Sequence, residues 1–262
     1  MDRRRHHHHH VPFNGIDTRP PHPYYPPTLE LPGYAEPAHT TSALVLTMGA
    51  SITVLILAAS RLYWARHSST VSGGGRIPLP DRLAALWFVV CGALHTVFEL
   101  YYIAHSATLA QERTLVADLW KEYALSDSRY VAATPMVRAL ESVTVLVTGP
   151  LCWTVAYAIW SGKAHLHPVR HLAQLSASLL HLYSVTIYYG TELLGSAVSN
   201  CRPEHIYYYG YFVAMNLPWL LVPLALGVAS FREIYKSMAL VQEKEEALKS
   251  WSFSDHMSVD RL

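Results

Sequence analysis

Five long apolar runs, separated by shorter polar connections, organise the chain. Residues 40–60 carry no charge at all. Residues 83–104 are broken only by His95 and Glu99. Residues 142–162 follow Glu141, which stands at their threshold. Residues 172–191 contain one imidazole, His181, and residues 206–230 contain no charge. Each run is about the 20 residues that a helix needs to cross a bilayer core. The runs are apolar all round, unlike the one-sided helices of water-soluble domains. The pattern predicts an all-α, polytopic membrane protein built as a five-transmembrane-helix bundle.

The flanks read differently. Residues 1–39 form a flexible, Pro- and His-rich N-terminal arm, with prolines at 20, 21, 23, 26 and 27. Residues 40–236 form the membrane domain, and residues 237–262 a polar tail. Within the tail, residues 238–249 pair Glu with Lys as a solvated surface helix does. The longest connection, residues 105–135, holds Trp120-Lys121-Glu122-Tyr123 and Asp127-Ser128-Arg129-Tyr130.

Composition sharpens this picture. The chain has 262 residues, 51% hydrophobic and only 15% charged, against about 25% charge in soluble domains. A net charge of +1 and the lack of a basic stripe argue against a nucleic-acid partner. Three cysteines do not make a disulfide framework, and none has metal-ligand spacing. No cofactor and no metal are expected. The His6–His10 run is set aside, because a flexible His tract binds metals without implying a function. The basic, His-rich start lacks the apolar core of a signal peptide. Basic residues near the ends of the runs (Arg61, Arg66, Arg76, Arg82, Lys163, Arg170, Arg232, Lys236) favour a cytosolic tail and a lumenal N-terminus. Arg113, Lys121, Arg129 and Arg138 argue the other way.

Ionisable side chains at bilayer depth are costly, so they mark function more often than they do elsewhere. His95 and Glu99 are four apart, hence on one helix face about one turn apart. Glu99 nears the far end of its run, and Glu141 opens the next, so the two carboxyls sit at similar depth on the same side. Two carboxyls in one dry site cannot both ionise cheaply, and the proton they retain is a usable general acid. Asn216 and Trp219 lie three apart in the last run, at a depth matching His95. Pro218 and Pro223 should kink that helix and free a carbonyl near Asn216. Trp219 offers a π face to a cation. Taken singly, each has a bland reading: an interhelical hydrogen bond for His95, Glu99, Asn216 and His181, and packing for Trp219. Two carboxyls, a His and an Asn in three apolar helices exceed what structure alone requires.

At these residues the sequence resembles the emopamil-binding protein family, the sterol 8,7-isomerases. The shared pattern runs from His22-Pro23-Tyr24-Tyr25-Pro26 through Trp87-Phe88-Val89-Val90-Cys91-Gly92 and His95-x-x-x-Glu99. It continues through Leu119-Trp120-Lys121-Glu122-Tyr123-Ala124, Asp127-Ser128-Arg129-Tyr130, Glu141-x-x-Thr144 and Gly149-Pro150. It ends in Tyr211-Phe212-Val213 and Met215-Asn216-x-x-Trp219. The resemblance implies five membrane helices, residence in the endoplasmic reticulum membrane and a sterol pocket within the bilayer. It implies a shift of a ring double bond from position 8 to position 7, by proton addition at carbon 9, a cation at carbon 8 and proton loss from carbon 7. His95, Glu99, Glu141, Asn216 and Trp219 are the implied catalytic group, with acid and base roles undivided. Tyr130, Thr144, His181, Tyr183 and Met215 are the expected substrate contacts. A site of this kind should also bind cationic amines, which mimic the intermediate. A homodimer is left open.

The sequence also departs from the family. Where the animal isomerases have Gln and then Tyr-Gly-Asp in the fourth helix, this chain has His181, Tyr183, Ser184 and Val185. Thr148 stands in place of a Trp, Ala214 replaces a Phe, and Pro218 also differs. The acid/base set is intact while the pocket wall is altered. Three readings therefore stand: a sterol 8,7-isomerase, a diverged enzyme rearranging or cyclising another terpenoid, and a non-catalytic sterol or amine receptor.

Overall fold

The computed structural model describes residues 22–67, 77–195 and 199–259; the His6–His10 run and Arg76 lie outside them. Among the described residues all regular structure is helical. Helix α1 spans Thr41–His67 and α2 spans Leu79–His105. A short helix, α3, spans Leu115–Tyr123, inside the connection predicted to be a loop. Helix α4 spans Pro135–Ser161 and α5 spans His167–Gly195. A wide π turn over Ile206–Ala214 leads through a break at Met215 and Asn216 into α6, Leu217–Val259.

Among the described residues, four segments are long and apolar enough to cross a membrane: Thr41–Tyr63, Leu79–His105, Pro135–Ser161 and Ile206–Trp251. Helix α5, at 29 residues, has the length, but it is not apolar all round. His171, Gln174, Ser178 and His181 form a buried polar stripe along it. His171, Gln174 and Ser178 turn onto α6, where Gln174 Nε2 donates to the Leu226 carbonyl at 3.0 Å. His171 Nδ1 lies 3.1 Å from Ser230 Oγ. Helix α5 is therefore not among the four, and the expected count of five membrane spans is not reached among the described residues.

Local sequence explains the boundaries. Thr114 caps α3, its hydroxyl accepting from the Ala117 N–H at 3.2 Å. Pro135 opens α4, where its missing N–H costs nothing. Gly162 closes α4 with φ of +61°, a left-handed stop that suits glycine. The break before α6 falls at Met215 and Asn216, ahead of Pro218, while Pro223 lies inside α6 without ending it. The carbonyls exposed there find side-chain donors: Asn216 Nδ2 reaches Phe212 O at 2.8 Å, and Tyr189 OH reaches Phe212 O and Val213 O at 3.1 Å each.

Helices α2 and α4 approach so closely that two positions tolerate no side chain. A Cβ on Gly149 would stand 2.8 Å from Thr96 Cγ2 and 3.2 Å from His95 Cβ, and one on Gly92 would stand 2.9 Å from the Trp153 ring. At this contact both helices widen into π turns, Leu94–Glu99 and Thr144–Thr148, which pack on each other. A threonine hydroxyl occupies a carbonyl there, Thr96 Oγ1 on Gly92 O at 2.6 Å, and Thr144 Oγ1 lies 2.9 Å from Glu141 O. Such turns re-aim side chains and recur at functional sites.

Above the helix ends, residues 22–39 of the arm, expected to be flexible, and the 106–134 connection form a pinned cap. Tyr24 is buried and its hydroxyl donates to Lys121 O at 3.4 Å. Buried Lys121 donates to Ala35 O at 2.7 Å and to Glu112 O. Asp118 Oδ2 accepts from the Ala38 and His39 N–H groups at 2.8 and 3.3 Å. Arg129 grips Asp127 at 2.6–3.0 Å and reaches Thr191 Oγ1 at 2.8 Å, tying the connection to α5. Burial opposes ionisation of Glu112, but donation from Thr108, Tyr101 and His105 holds its carboxyl down at about 2.

Candidate functional site

An apolar cavity of about 440 Å³ lies among α1, α2, α4, α5 and α6, beneath α3. This is within the roughly 300–1,000 Å³ range of sites for rigid small molecules. Leu44, Val45, Met48, Gly49 and Ile52 of α1 line one wall. The opposite wall carries the ionisable groups.

His95 organises them. Its Nδ1 lies 2.7 Å from both Glu99 oxygens, so a proton on Nδ1 is donated to that carboxyl. Its Nε2 lies 2.9 Å from His181 Nε2. One proton can sit between those nitrogens, so one ring donates and the other accepts. Glu99 also accepts from Thr144 Oγ1. The same hydroxyl lies 3.4 Å from Glu141 Oε2, and Tyr130 OH donates to Glu141 Oε1 at 2.8 Å. A continuous polar chain therefore runs Tyr130–Glu141–Thr144–Glu99–His95–His181. Each of its members lines the cavity. The π turns explain the placement: one carries His95 and Glu99, and the other starts at Thr144, one turn after Glu141.

Asn216 and Trp219 line the same cavity. Tyr123 OH lies 3.3 Å from Asn216 Oδ1, and Asn216 Nδ2 lies 3.2 Å from that hydroxyl. Trp219 tilts against Trp87, ring centroids 5.3 Å apart. Met215 also lines the cavity, but Tyr183 does not: it is 64% exposed on the outer side of α5. Residues two apart on a helix point roughly 160° away from one another, so His181 and Tyr183 do not share a wall.

Several cavity residues are absent from the expected set. Trp120 stacks between Phe98 and Tyr130, at 4.3 and 5.2 Å, and carries Tyr130 into place. Tyr188 and Tyr123 pack on Tyr130. Glu122 is a third carboxyl of the cavity, accepting from Tyr211 OH and Thr41 Oγ1 at 3.0 Å each. Trp120, Glu122 and Tyr123 stand in a quoted motif, yet nothing in their spacing foretold a helix laid across the cavity mouth.

Fold and site together define a polytopic helical membrane protein with a buried acid/base chain along one wall of an apolar cavity. Comparison with known proteins narrows this. The family model described as EXPERA (EXPanded EBP superfamily) matches residues 115–230. The chain is 30% identical over 234 residues to the 3-beta-hydroxysteroid-Delta(8),Delta(7)-isomerase of Mus musculus, covering 89% of this chain and 97% of that one. It is 28% identical over 228 residues to the probable isomerase of that name from Arabidopsis thaliana, covering 86% and 94%. It is 27% identical over 226 residues to a protoglabretal synthase of Ailanthus altissima, covering 86% and 97%. The chain belongs to the emopamil-binding protein family, the EXPERA superfamily.

Proposed function

We propose that the chain is a membrane-embedded isomerase that moves a sterol ring double bond from position 8 to position 7. One observation carries this reading: His95, Glu99 and Glu141 are joined through Thr144 along the wall of a cavity otherwise lined by apolar groups. Two carboxyls sharing one hydroxyl in such a site retain one proton between them. That proton adds to carbon 9, a cation forms at carbon 8, and a proton from carbon 7 returns to the cluster. The cluster ends each turnover with the proton count it began with, so no redox partner enters the balance. His95, Glu99 and Glu141 deliver and remove the proton. Thr144 links the carboxyls and lets the proton return to its starting group. Trp219 faces the cavity and stabilises the cation by roughly 1–2 kcal/mol. Asn216, held by Tyr123, fixes the break that aims Trp219. Cationic amines bind the same site, because an ammonium reproduces the intermediate's charge.

In this reading residues 40–236 are the catalytic domain, α5 counts as a fifth membrane span, and the protein resides in the endoplasmic reticulum. The test is expression in a host lacking its own sterol Δ8–Δ7 isomerase. Accumulated 8-ene sterols should convert to 7-ene sterols. Folded protein with no conversion would overturn the reading.

A second reading has its own support. Relatives include a protoglabretal synthase and an isomeliandiol synthase of Ailanthus altissima, the latter 30% identical over 169 residues. The cavity wall here carries His181, where the animal pattern has Gln. The same proton chain would then protonate another terpenoid. Turnover of a non-sterol terpenoid, with sterols untouched, would favour it.

A further inference from the structure

Behind the proton chain lies Cys91, which the isomerisation leaves unused, beside two members of that chain. Cys91 Sγ and a ring nitrogen each from His95 and His181 lie within 4.8 Å of one another. All three residues are buried, Cys91 completely. We propose that they form a site for a thiophilic transition-metal ion of the Zn(II) class, and that its occupancy shuts off the acid/base chain.

The donor chemistry fits. Glu99 holds His95 by Nδ1 at 2.7 Å, which leaves Nε2 to act as a ligand. A carboxylate behind a ligating histidine is the usual second layer of such sites; it fixes the tautomer and raises ligand basicity. His181 Nε2 already faces His95 Nε2 at 2.9 Å. A metal about 2.0–2.1 Å from each nitrogen sits off the line between them, and Cys91 completes a third position at about 2.3 Å after small side-chain rotations. His181 can shift its remaining proton to Nδ1, which is buried without a hydrogen-bond partner. A fourth position opens toward the cavity, which both histidines line.

Charge fits as well. A divalent ion, the Cys91 thiolate and the Glu99 carboxylate sum to zero, so the site loads without stranding net charge in an apolar interior. One proton, from the thiol, leaves on binding. Sulfur and imidazole select zinc-like or copper-like ions over magnesium or calcium. With the metal in place His95 Nε2 is occupied, and it no longer passes protons.

The test uses the full chain in lipid nanodiscs, with Co(II) as a spectroscopic probe and Zn(II) as the inhibitor. One sulfur-to-cobalt charge-transfer band should appear. It should vanish in Cys91→Ala and His181→Gln but persist in Cys152→Ala and Cys201→Ala. The His6–His10 run carries no thiol and gives no such band. Zn(II) should slow sterol isomerisation at least about tenfold and a chelator should restore it. Cys91→Ala should keep basal turnover and lose the inhibition. Cys91→Ser serves as the isosteric alternative if the alanine variant does not fold. Absence of the band, or a band that survives Cys91→Ala, overturns the site. Zinc inhibition equal in wild type and Cys91→Ala overturns its regulatory role. The inhibition arm rests on the isomerase reading, whereas the cobalt band does not, so failure of one is separable from failure of the other.

Discussion

His181 faces His95 ring nitrogen to ring nitrogen, Nε2 to Nε2 at 2.9 Å, while its own Nδ1 has no hydrogen-bond partner. The pair therefore fixes which nitrogen of His95 is left to handle protons. His181→Leu strands that nitrogen in a buried site, a loss of about 1–3 kcal/mol. The expected result is a fall of roughly 5- to 150-fold in kcat/KM. His181→Gln can still bond His95 and should recover most of the rate. Initial rates of the two variants decide this; a Leu variant as fast as wild type would refute the pairing's role.

Glu141 and Tyr130 should separate in effect. Glu141→Gln removes an ionisable proton from the chain, and turnover should drop by at least about 10²-fold. Tyr130→Phe removes only one donor to that carboxyl, and roughly a tenfold loss is expected, the scale of one neutral hydrogen bond. Binding of a cationic amine to Tyr130→Phe would establish that it is folded. Equal rates for both variants would show that Glu141 carries no proton in the rate-limiting step.

The helix contact at Gly149 offers a test by repair. Gly149→Ala drives a methyl to 2.8 Å from Thr96 Cγ2 and 3.2 Å from His95 Cβ. Overpacking of this kind costs about 1–3 kcal/mol and pushes His95 off its partners. Thr96→Ser deletes the obstructing methyl but keeps the hydroxyl on Gly92 O. The double variant should regain stability and activity relative to Gly149→Ala alone. A cycle of thermal midpoints and rates measures that coupling; additive losses would mean that the steric account is mistaken.

Acid should loosen the cap before it touches the bundle. The Glu112 carboxyl sits at about 2 when folded, below its ordinary 4.5. A lowered folded value means that the stabilisation is complete above about 4.5 and fades as the pH falls toward 2. Glu112→Gln should remove that acid limb. Hydrogen exchange at residues 106–114, followed between pH 5 and pH 3, should report it; an unchanged profile in the variant would contradict the assignment.

How far the sequence reaches is clear residue by residue. His95 and Glu99 were legible because i and i+4 share a face, and Glu141 because depth can be counted from the end of a run. The 29-residue α5 was legible as a helix, but its rotation was not. Only packing shows that 171, 174 and 178 face α6, that 181 faces His95 of α2 and that 183 faces outward. The π turns left no apolar-period signature, since one extra residue in a turn changes no composition. Helix α3 was hidden because its apolar face packs under a cap that sequence alone renders as a polar connection. Glu122 stood in a quoted motif with no role assigned, because its donors Tyr211 and Thr41 lie far away in the chain.

The α1 wall carries a kinetic consequence. It is the least enclosed of the four apolar spans, yet it supplies Leu44, Val45, Met48, Gly49 and Ile52 to the cavity. A substrate that passes this wall comes from the lipid phase. The quantity that saturates the protein is then the mole fraction of substrate among surrounding lipids, not its amount per volume of buffer. Diluting the bilayer with inert lipid at constant bulk substrate should lower the rate, and adding buffer should leave it alone.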